Sequence, residues 1–270
     1  MDYLARDDAP FSQELWEKID TAIVDTVRNN LTGRRFLRIF GPLGGGIQSI
    51  NIDSASKAEE DGGGIIKTTG RKYVEIPQLY EDFTLLWRDI AFSEKSGQSL
   101  DLSSATLAAQ AMAQREDRLV FFGNQEYGYD GLMTAAGINT IKKGDWNVGE
   151  TPFSDIAEGV ALLAGKGHIN RYSLTLSLDL YAQLQRIQAG TGVLEIDRIK
   201  SMLDGRVFKS PVLGVNKAVL VSAEPHNMDL AIGQDIEAAY LELKDLNHVL
   251  RIMETVVLRL KRPDAVVVYE

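Results

Sequence analysis

Residues 33–46 read GRRFLRIFGPLGGG, and the interpretation of the whole chain depends on this stretch. A segment of alternating apolar residues leads into a proline and four glycines. Gly41 and Gly46 have the spacing of a phosphate-binding P-loop, but Ile47 and Gln48 stand where that loop needs a lysine and a hydroxyl residue. The dinucleotide-binding pattern is incomplete as well. The stretch therefore indicates a turn that needs the backbone freedom of glycine.

The composition is that of an ordinary globular protein, and its charge argues against nucleic acid as a main partner. The chain has 270 residues, of which 44% are hydrophobic and 25% are charged, which is enough for one large domain or two smaller ones. Its net charge of −9 disfavours DNA, RNA and anionic membranes as partners, because binding phosphates requires clustered lysine and arginine.

The absence of cysteine and of long apolar segments indicates in which cellular compartment the protein is expected. Without cysteine, disulfides, thiolate metal sites and a cysteine nucleophile are excluded, and a cytoplasmic location is favoured. The first residues, MDYLARDDAP, contain no apolar signal segment. No apolar run reaches the roughly 18 residues of a membrane span. We therefore expect neither export nor membrane insertion.

Apolar periodicity predicts helices and strands that do not alternate regularly. Residues 54–72 are polar and rich in glycine, which predicts a long loop or a protruding hairpin. Such an order favours an α+β fold over a doubly wound sheet or a barrel. The predicted helices cover residues 12–31, 101–122, 195–203, 179–187 and a segment that begins at Thr151, and the predicted strands cover 34–40, 172–178, 250–260 and 265–269.

No group of residues has the spacing of a metal site or a hydrolase motif. His168, His226 and His248 are far apart in the chain, so each is expected at the surface or in the core rather than on a metal. Ser54 to Lys57 and the KTTG at 67–70 resemble penicillin-binding motifs, but both lie in one glycine-rich loop. No catalytic residue is predicted from these patterns.

Two adjacent acids on the long helix also lack the arrangement of a catalytic pair. Glu116 and Asp117 are neighbours in sequence, and adjacent helical residues diverge by about 100°. We expect them on a solvated face or in ion pairs with Arg115 or Arg118.

Ten segments in order along nearly the whole chain carry a family resemblance. They resemble the encapsulins, the bacterial and archaeal shell proteins that build protein nanocompartments and were earlier described as a linocin-type bacteriocin family. These segments are MDYLARDDAP (1–10), LWEKID (15–20), LTGRRFLRIFGPLG (31–44), DFTLLWRDI (82–90), LDLSS (100–104), REDRLVFFGN (115–124), GLM (131–133), AIGQDIEAAY (231–240), ETVVLRL (254–260) and RPDAVVV (262–268).

The resemblance implies the Hong Kong 97-type fold of tailed-phage major capsid proteins. In that fold the glycines after Phe40 would let the chain turn from an N-terminal helix into a peripheral domain. The implied divisions are the N-terminal helix and arm at 1–40, the peripheral domain with its spine helix at 41–53, 73–133 and 224–270, the extended loop at 54–72, and the axial domain at 134–223.

The resemblance also implies a non-enzymatic shell subunit. Such subunits self-assemble into an icosahedral cage and encapsulate a cargo enzyme through its C-terminal targeting peptide. A ferritin-like iron-storage protein or a dye-decolourising peroxidase is the expected cargo, with a role in iron storage or oxidative stress. The alternatives are a bacteriocin-like or proteolytic enzyme, which the absent motifs oppose, and a prophage capsid protein, which would need a basic inner surface for DNA.

Matched positions imply two sites, a cargo-peptide pocket beside the N-terminal helix and a pore at the fivefold vertices. The pocket residues are Val27, Leu31, Arg34, Phe36, Leu37, Ile232 and Asp235, and the pore residues are Gln188, Ala189, Gly190, Thr191 and Gly192. Some family shells hold a flavin near a tryptophan at the position of Trp87. The Arg and Thr of that pattern are Tyr80 and Asp82 here, which argues against flavin binding. No metal or other cofactor is expected.

Overall fold

A computed structural model describes residues 3–52, 57–60 and 66–270, with the backbone alone at 57–60 and 66–69. Its seven described α-helices are α1 (Gln13–Asn30), α2 (Gly33–Phe36), α3 (Trp87–Ser96), α4 (Ser103–Phe122), α5 (Thr151–Gly165), α6 (Leu178–Gln183) and α7 (Glu195–Met202). Its described strands are β1 (Ile39–Phe40), β2 (Ser49–Asn51), β3 (Lys57–Glu60), β4 (Ile66–Thr69), β5 (Tyr73–Glu75), β6 (Gln78–Leu85), β7 (Asn139–Ile141), β8 (Tyr172–Leu176), β9 (Val207–Lys209), β10 (Ala218–Ser222), β11 (Met228–Ile232), β12 (Glu237–Lys244), β13 (Asn247–Leu260) and β14 (Val266–Tyr269).

Helix α1 forms where the apolar periodicity predicts it. The Ser12 side chain accepts a hydrogen bond from the Leu15 N–H at 3.2 Å, which satisfies one of the free donors of the first turn. Ile19, Ile23 and Val27 form the buried stripe of the helix and pack in one core cluster with α4. The helix ends at Asn30, one residue before the predicted end at Leu31, because the chain is already extended at Leu31.

The first sheet is organised by the long strand β13. Its first half pairs with β12 on one side and β6 on the other, and its second half pairs with β11. The short strand β1 completes this sheet by pairing in parallel with β11. Helix α4 packs across the sheet, and the apolar side chains between them join those of α1. This arrangement places α1 against α4 and close to β12.

The second sheet has the order β7-β14-β10-β8-β9 and forms a separate core with α5 and α7. Trp146 and Tyr269 are buried at its centre with ring centroids 5.8 Å apart. The C-terminal strand β14 lies in this sheet because its four apolar residues pair with β10 and β7. Residues 266–269, which the family resemblance assigns to the peripheral domain, thus share a sheet with β8 and β10.

Three predicted elements have different bounds in the structure. The stretch 34–40, predicted as one strand, contains the helical turn α2, and only Ile39–Phe40 forms a strand. The helix predicted at 179–187 is the shorter α6. Within the loop predicted at 54–72, β3 and β4 pair as an antiparallel hairpin. Residues 53–56 and 61–65 lie outside the described residues.

Gly41 accounts for the turn in the opening stretch. Its backbone has φ of +133°, and a Cβ at this position would lie 2.3 Å from the Ile232 carbonyl oxygen. Immediately afterwards the Leu43 N–H donates to the same carbonyl at 2.9 Å. The chain therefore leaves β1 in contact with the end of β11, where no side chain fits.

We expect Gly41→Ala to destabilise the protein by about 2 kcal/mol or more, because it adds a backbone clash to an unfavourable φ. Gly46→Ala is the matched control, since nothing lies within 4 Å of a Cβ built there. Melting temperatures of the two variants measure the difference. Equal losses would contradict this account of the turn.

Candidate functional site

A groove of about 340 Å³ lies between the C-terminal half of α1 and the connection from β11 to β12. It is lined by Val24, Val27, Arg28, Leu31, Arg34, Arg35, Asp235 and Ile236. The valines, the leucine and the isoleucine form an apolar floor, and three arginines gather where α1 ends. The groove can therefore receive an apolar segment with polar groups at one end.

The structure brings together four of the seven residues predicted for a cargo-peptide pocket, namely Val27, Leu31, Arg34 and Asp235. The other three, Phe36, Leu37 and Ile232, lie in the core with exposed fractions of 2%, 5% and 1%, and are absent from the groove lining.

The helical turn of α2 explains the burial of Phe36. The turn directs its ring inward, where the centroid lies 6.2 Å from that of Phe121 and 5.9 Å from that of Phe208. Four lining residues were not predicted from the sequence, namely Val24, Arg28, Arg35 and Ile236. Helical spacing could have identified Val24, because it precedes the predicted pocket residue Val27 by three residues on α1. Arg28 likewise precedes Leu31, the residue that follows α1, by three residues.

Arg34 connects the groove to the two elements beneath it. Its Nε donates to the Glu116 carboxylate on α4 at 2.9 Å, and its Nη2 contacts Glu254 on β13 at 2.6 Å. Its Nη1 donates to the exposed Asp235 at 2.7 Å. The side chains of Glu116 and Glu254 are completely buried. Arg34 is therefore a groove residue whose position is set by buried carboxylates.

Burial and charge act in opposite directions in this cluster. Burial opposes the charged form of Arg34, but Glu116 and Glu254 outweigh it and raise the pKa of the guanidinium. Burial, and after it the neighbouring Glu116 carboxylate, raise the pKa of Glu254 well above its usual range. Neighbouring charge therefore prevails at Arg34, and burial prevails at Glu254.

Asp117 fixes the start of α2. Its carboxylate accepts hydrogen bonds from the N–H of Thr32 at 2.9 Å and of Gly33 at 2.8 Å, which are free donors at the start of a helix. Burial raises the pKa of Asp117 to about 6, although these hydrogen bonds oppose the shift. The prediction that Glu116 and Asp117 lie on a solvated face or pair with Arg115 or Arg118 is therefore wrong.

We expect Arg34→Ala to destabilise the protein by about 3–5 kcal/mol, because it leaves two buried carboxyl groups without their cation. Arg38→Ala removes the same charge from an exposed residue outside the groove and should cost about 0.5 kcal/mol or less. Chemical denaturation of both variants measures the contrast. A loss for Arg34→Ala no larger than for Arg38→Ala would show that the cluster does not anchor α2.

The raised pKa of Asp117 predicts a specific dependence of stability on pH. The folded state binds this proton more tightly than the unfolded chain, so the stabilisation is complete below about pH 4 and is lost as pH rises through about 6. Between about pH 5 and pH 7 the loss amounts to about 1 kcal/mol.

Asp117→Asn keeps an acceptor for the two N–H groups and removes the titration. We expect the difference in free energy of unfolding between the original protein and Asp117→Asn to change by about 1 kcal/mol between the two pH values, at equal protein concentration. A difference that does not change with pH would contradict the assignment.

The residues predicted for a pore form an exposed turn that is held at one end. Gln188 is buried and donates from Nε2 to Glu150 at 2.9 Å, whereas 189–192 are exposed. Gly190 and Gly192 have φ of +79° and +72°, which explains the glycines of this loop. Arg186 holds the base of the loop through Glu195 at 2.7 Å.

Trp87 lies at the start of α3 with 42% of its surface exposed. The two residues that depart from the flavin pattern, Tyr80 and Asp82, both contact Arg251. Arg251 lies over the Tyr80 ring at 4.0 Å and forms an ion pair with Asp82 at 2.7 Å. Both side chains are therefore engaged by Arg251.

Two of the three histidines are in contact with side chains distant in sequence. Within the part of the chain that the structure describes, no three histidine or acidic side chains gather as metal ligands. His168 is buried with Nε2 3.3 Å from Asp264, and the ring of His248 packs against Phe11 at 4.8 Å. None of the helices in the described ranges combines the length and apolar character that crossing a bilayer requires.

Sequence comparison shows the family. A family model described as an encapsulating protein for peroxidase, Linocin_M18, matches residues 1–257. The chain is 39% identical to the type 1 encapsulin shell protein EncA of Myxococcus xanthus, over 100% of this chain and 96% of that protein. It is 38% identical to the diheme-cytochrome-encapsulin shell fusion protein of Kuenenia stuttgartiensis, over 96% of this chain and 73% of that protein.

Structural comparison shows the fold. A virus-like particle protein from Pyrococcus furiosus matches with a TM-score of 0.77 at 22% identity, over 95% of this chain and 100% of that chain. The capsid protein of Myoviridae phage XM1 matches with a TM-score of 0.62 at 17% identity, over 89% of this chain and 91% of that chain. These likenesses confirm the predicted capsid fold, and the chain belongs to the encapsulin family of shell proteins.

Proposed function

We propose that this chain self-assembles into an icosahedral cage and packages a cargo enzyme whose C-terminal peptide binds the groove beside α1. The observation that carries the proposal is the groove itself, with an apolar floor on α1 and charged residues at one end. In this proposal the first sheet with α4 forms the peripheral domain, the second sheet forms the axial domain, and 54–72 form the extended loop.

The groove suits a short extended peptide. Burying apolar surface contributes about 25 cal/mol per Å², so a few apolar side chains on this floor give modest affinity for a single site. Many copies on one inner wall would raise the overall affinity for an oligomeric cargo through avidity. A weak groove is therefore sufficient for efficient loading.

The family description and one relative support a redox cargo. The family is described as encapsulating a peroxidase, and the Kuenenia relative carries a diheme cytochrome in the same chain. We propose a ferritin-like iron-storage protein or a dye-decolourising peroxidase as the cargo, with a cytoplasmic role in iron storage or oxidative stress. The chain itself would act as a shell rather than as an enzyme, and 188–192 would line its fivefold pore.

The groove is tested by placing a cation on its floor. We expect Val24→Lys to reduce the amount of co-purifying cargo about tenfold, because a bound peptide would have to bury an unpaired ammonium group. Thr21→Lys is the matched control, since Thr21 is an exposed residue one turn earlier on α1 and does not line the groove.

Gel analysis and mass spectrometry of the purified particles measure the cargo and identify it. Equal cargo in both variants, with intact particles, would place cargo binding elsewhere on the shell. The absence of any second protein from particles purified from native cells would contradict cargo packaging itself.

A further inference from the structure

The two ends of the groove carry opposite charges. Where α1 ends, Arg28 and Arg35 line the groove, and no acidic side chain in the described residues pairs with either. Towards the start of α1 the groove continues, past Val24 and Ile236, into a second hollow of about 380 Å³. A bound molecule therefore meets arginine side chains at one end of the groove. Beyond the apolar floor it meets the side chains that line the second hollow.

The far hollow is acidic. Arg6 and Asp20 line it, but they neutralise each other through a two-fold ion pair with both distances at 2.8 Å. Glu237, on the facing strand β12, has no cationic partner among the residues that the structure describes. The groove thus runs from two free cations to one free carboxylate.

Arg34 does not contribute to the free positive charge. Its Nε and both Nη atoms are engaged by Glu116, Asp235 and Glu254, so it has little capacity to bind a further anion. Arg34 acts as the structural anchor of this end of the groove. The available donors belong to Arg28 and Arg35.

We propose that Arg28 and Arg35 bind the terminal carboxylate of the docked peptide and so fix its direction in the groove. This inference rests on the proposed function, in which a C-terminal tail is the occupant. Such a tail always carries a terminal carboxylate, whatever its side chains. The preceding residues then lie on the apolar floor and run towards Glu237, where a basic side chain of the peptide finds a partner.

The partial negative charge at the C-terminal end of α1 disfavours a bound anion, and the positive charges of Arg28 and Arg35 offset this effect. The last carbonyls of a helix carry partial negative charge. Arg35 donates to one of them, the Asn29 carbonyl, at 3.0 Å, which neutralises part of that charge. A carboxylate between two guanidinium groups forms charge-assisted hydrogen bonds, which are about twice as strong as neutral ones. The balance at this end of the groove therefore favours the carboxylate.

The test compares two synthetic peptides that carry the C-terminal segment of the co-purified cargo. One has a free terminal carboxylate and the other a terminal amide, and both are titrated against assembled, cargo-free particles. We expect the free acid to bind about tenfold more tightly at low ionic strength. The advantage should shrink as salt is added, because the arginines are exposed.

Variants identify the arginines. Replacing Arg28 and Arg35 together by Gln should abolish the advantage of the free acid and leave the affinity for the amide unchanged. Arg38→Gln, outside the groove, should preserve the advantage. If the double variant fails to assemble, the comparison of the two peptides on the original protein still tests the inference.

The outcomes separate the two proposals. Equal binding of acid and amide, with both weakened by Val24→Lys, would overturn the terminal-carboxylate inference and leave the groove as the docking site. Failure of both peptides to bind would overturn the groove as the docking site as well. An advantage of the free acid that persists in the double Gln variant would assign the carboxylate to other residues.

Discussion

The contact of Arg34 with two buried glutamates is the interaction on which the rest of the structure depends. It joins α2 to residues 82 and 220 positions further along the chain, on α4 and β13. Separating the Arg34 guanidinium from these buried carboxylates would be strongly unfavourable. The contact therefore holds α2 in one position against α4 and β13. Asp117, adjacent to one of these glutamates, fixes the same turn because its carboxylate accepts hydrogen bonds from the backbone N–H groups of Thr32 and Gly33.

This anchoring explains why a groove exists beside α1. Because α2 is tied to α4, the chain turns away from α1 at Leu31 instead of continuing the helix. The turn leaves a groove beside the last apolar residues of α1 and places Arg28 and Arg35 at the same end. A shell subunit that binds a peptide at this place would therefore derive its binding surface from the same buried charges that stabilise its fold.

Local patterns in the sequence predicted the elements whose causes are local. Helix α1 has a capping serine, and α4 begins two residues after Asp101, whose carboxylate accepts a hydrogen bond from the Ser103 N–H at 2.9 Å. The strand predicted at 34–40 failed because Asp117, far away in sequence, stabilises a helical turn there. The burial of Glu116 was not predicted either, because it depends on the distant Arg34 and because adjacent charged residues on a helix usually face solvent.

The candidate site was only partly predictable because some of its residues come from segments that are distant in the sequence. The groove residues on α1 share helical spacing, so Val27 and Leu31 were within reach of sequence analysis. Phe36 and Ile232 were placed in the groove by family resemblance, but the rotation of α2 and the pairing of β11 turn them into the core. Arg35 and Ile236 depend on how two distant segments meet, which periodicity does not encode.

The central claim is that this capsid fold builds a closed shell, and electron microscopy of the purified protein tests it most directly. The account predicts uniform, closed, spherical particles in negative stain, with a second protein inside when they are purified from native cells. Small oligomers with no particles, at a protein concentration where the chain is folded, would contradict it.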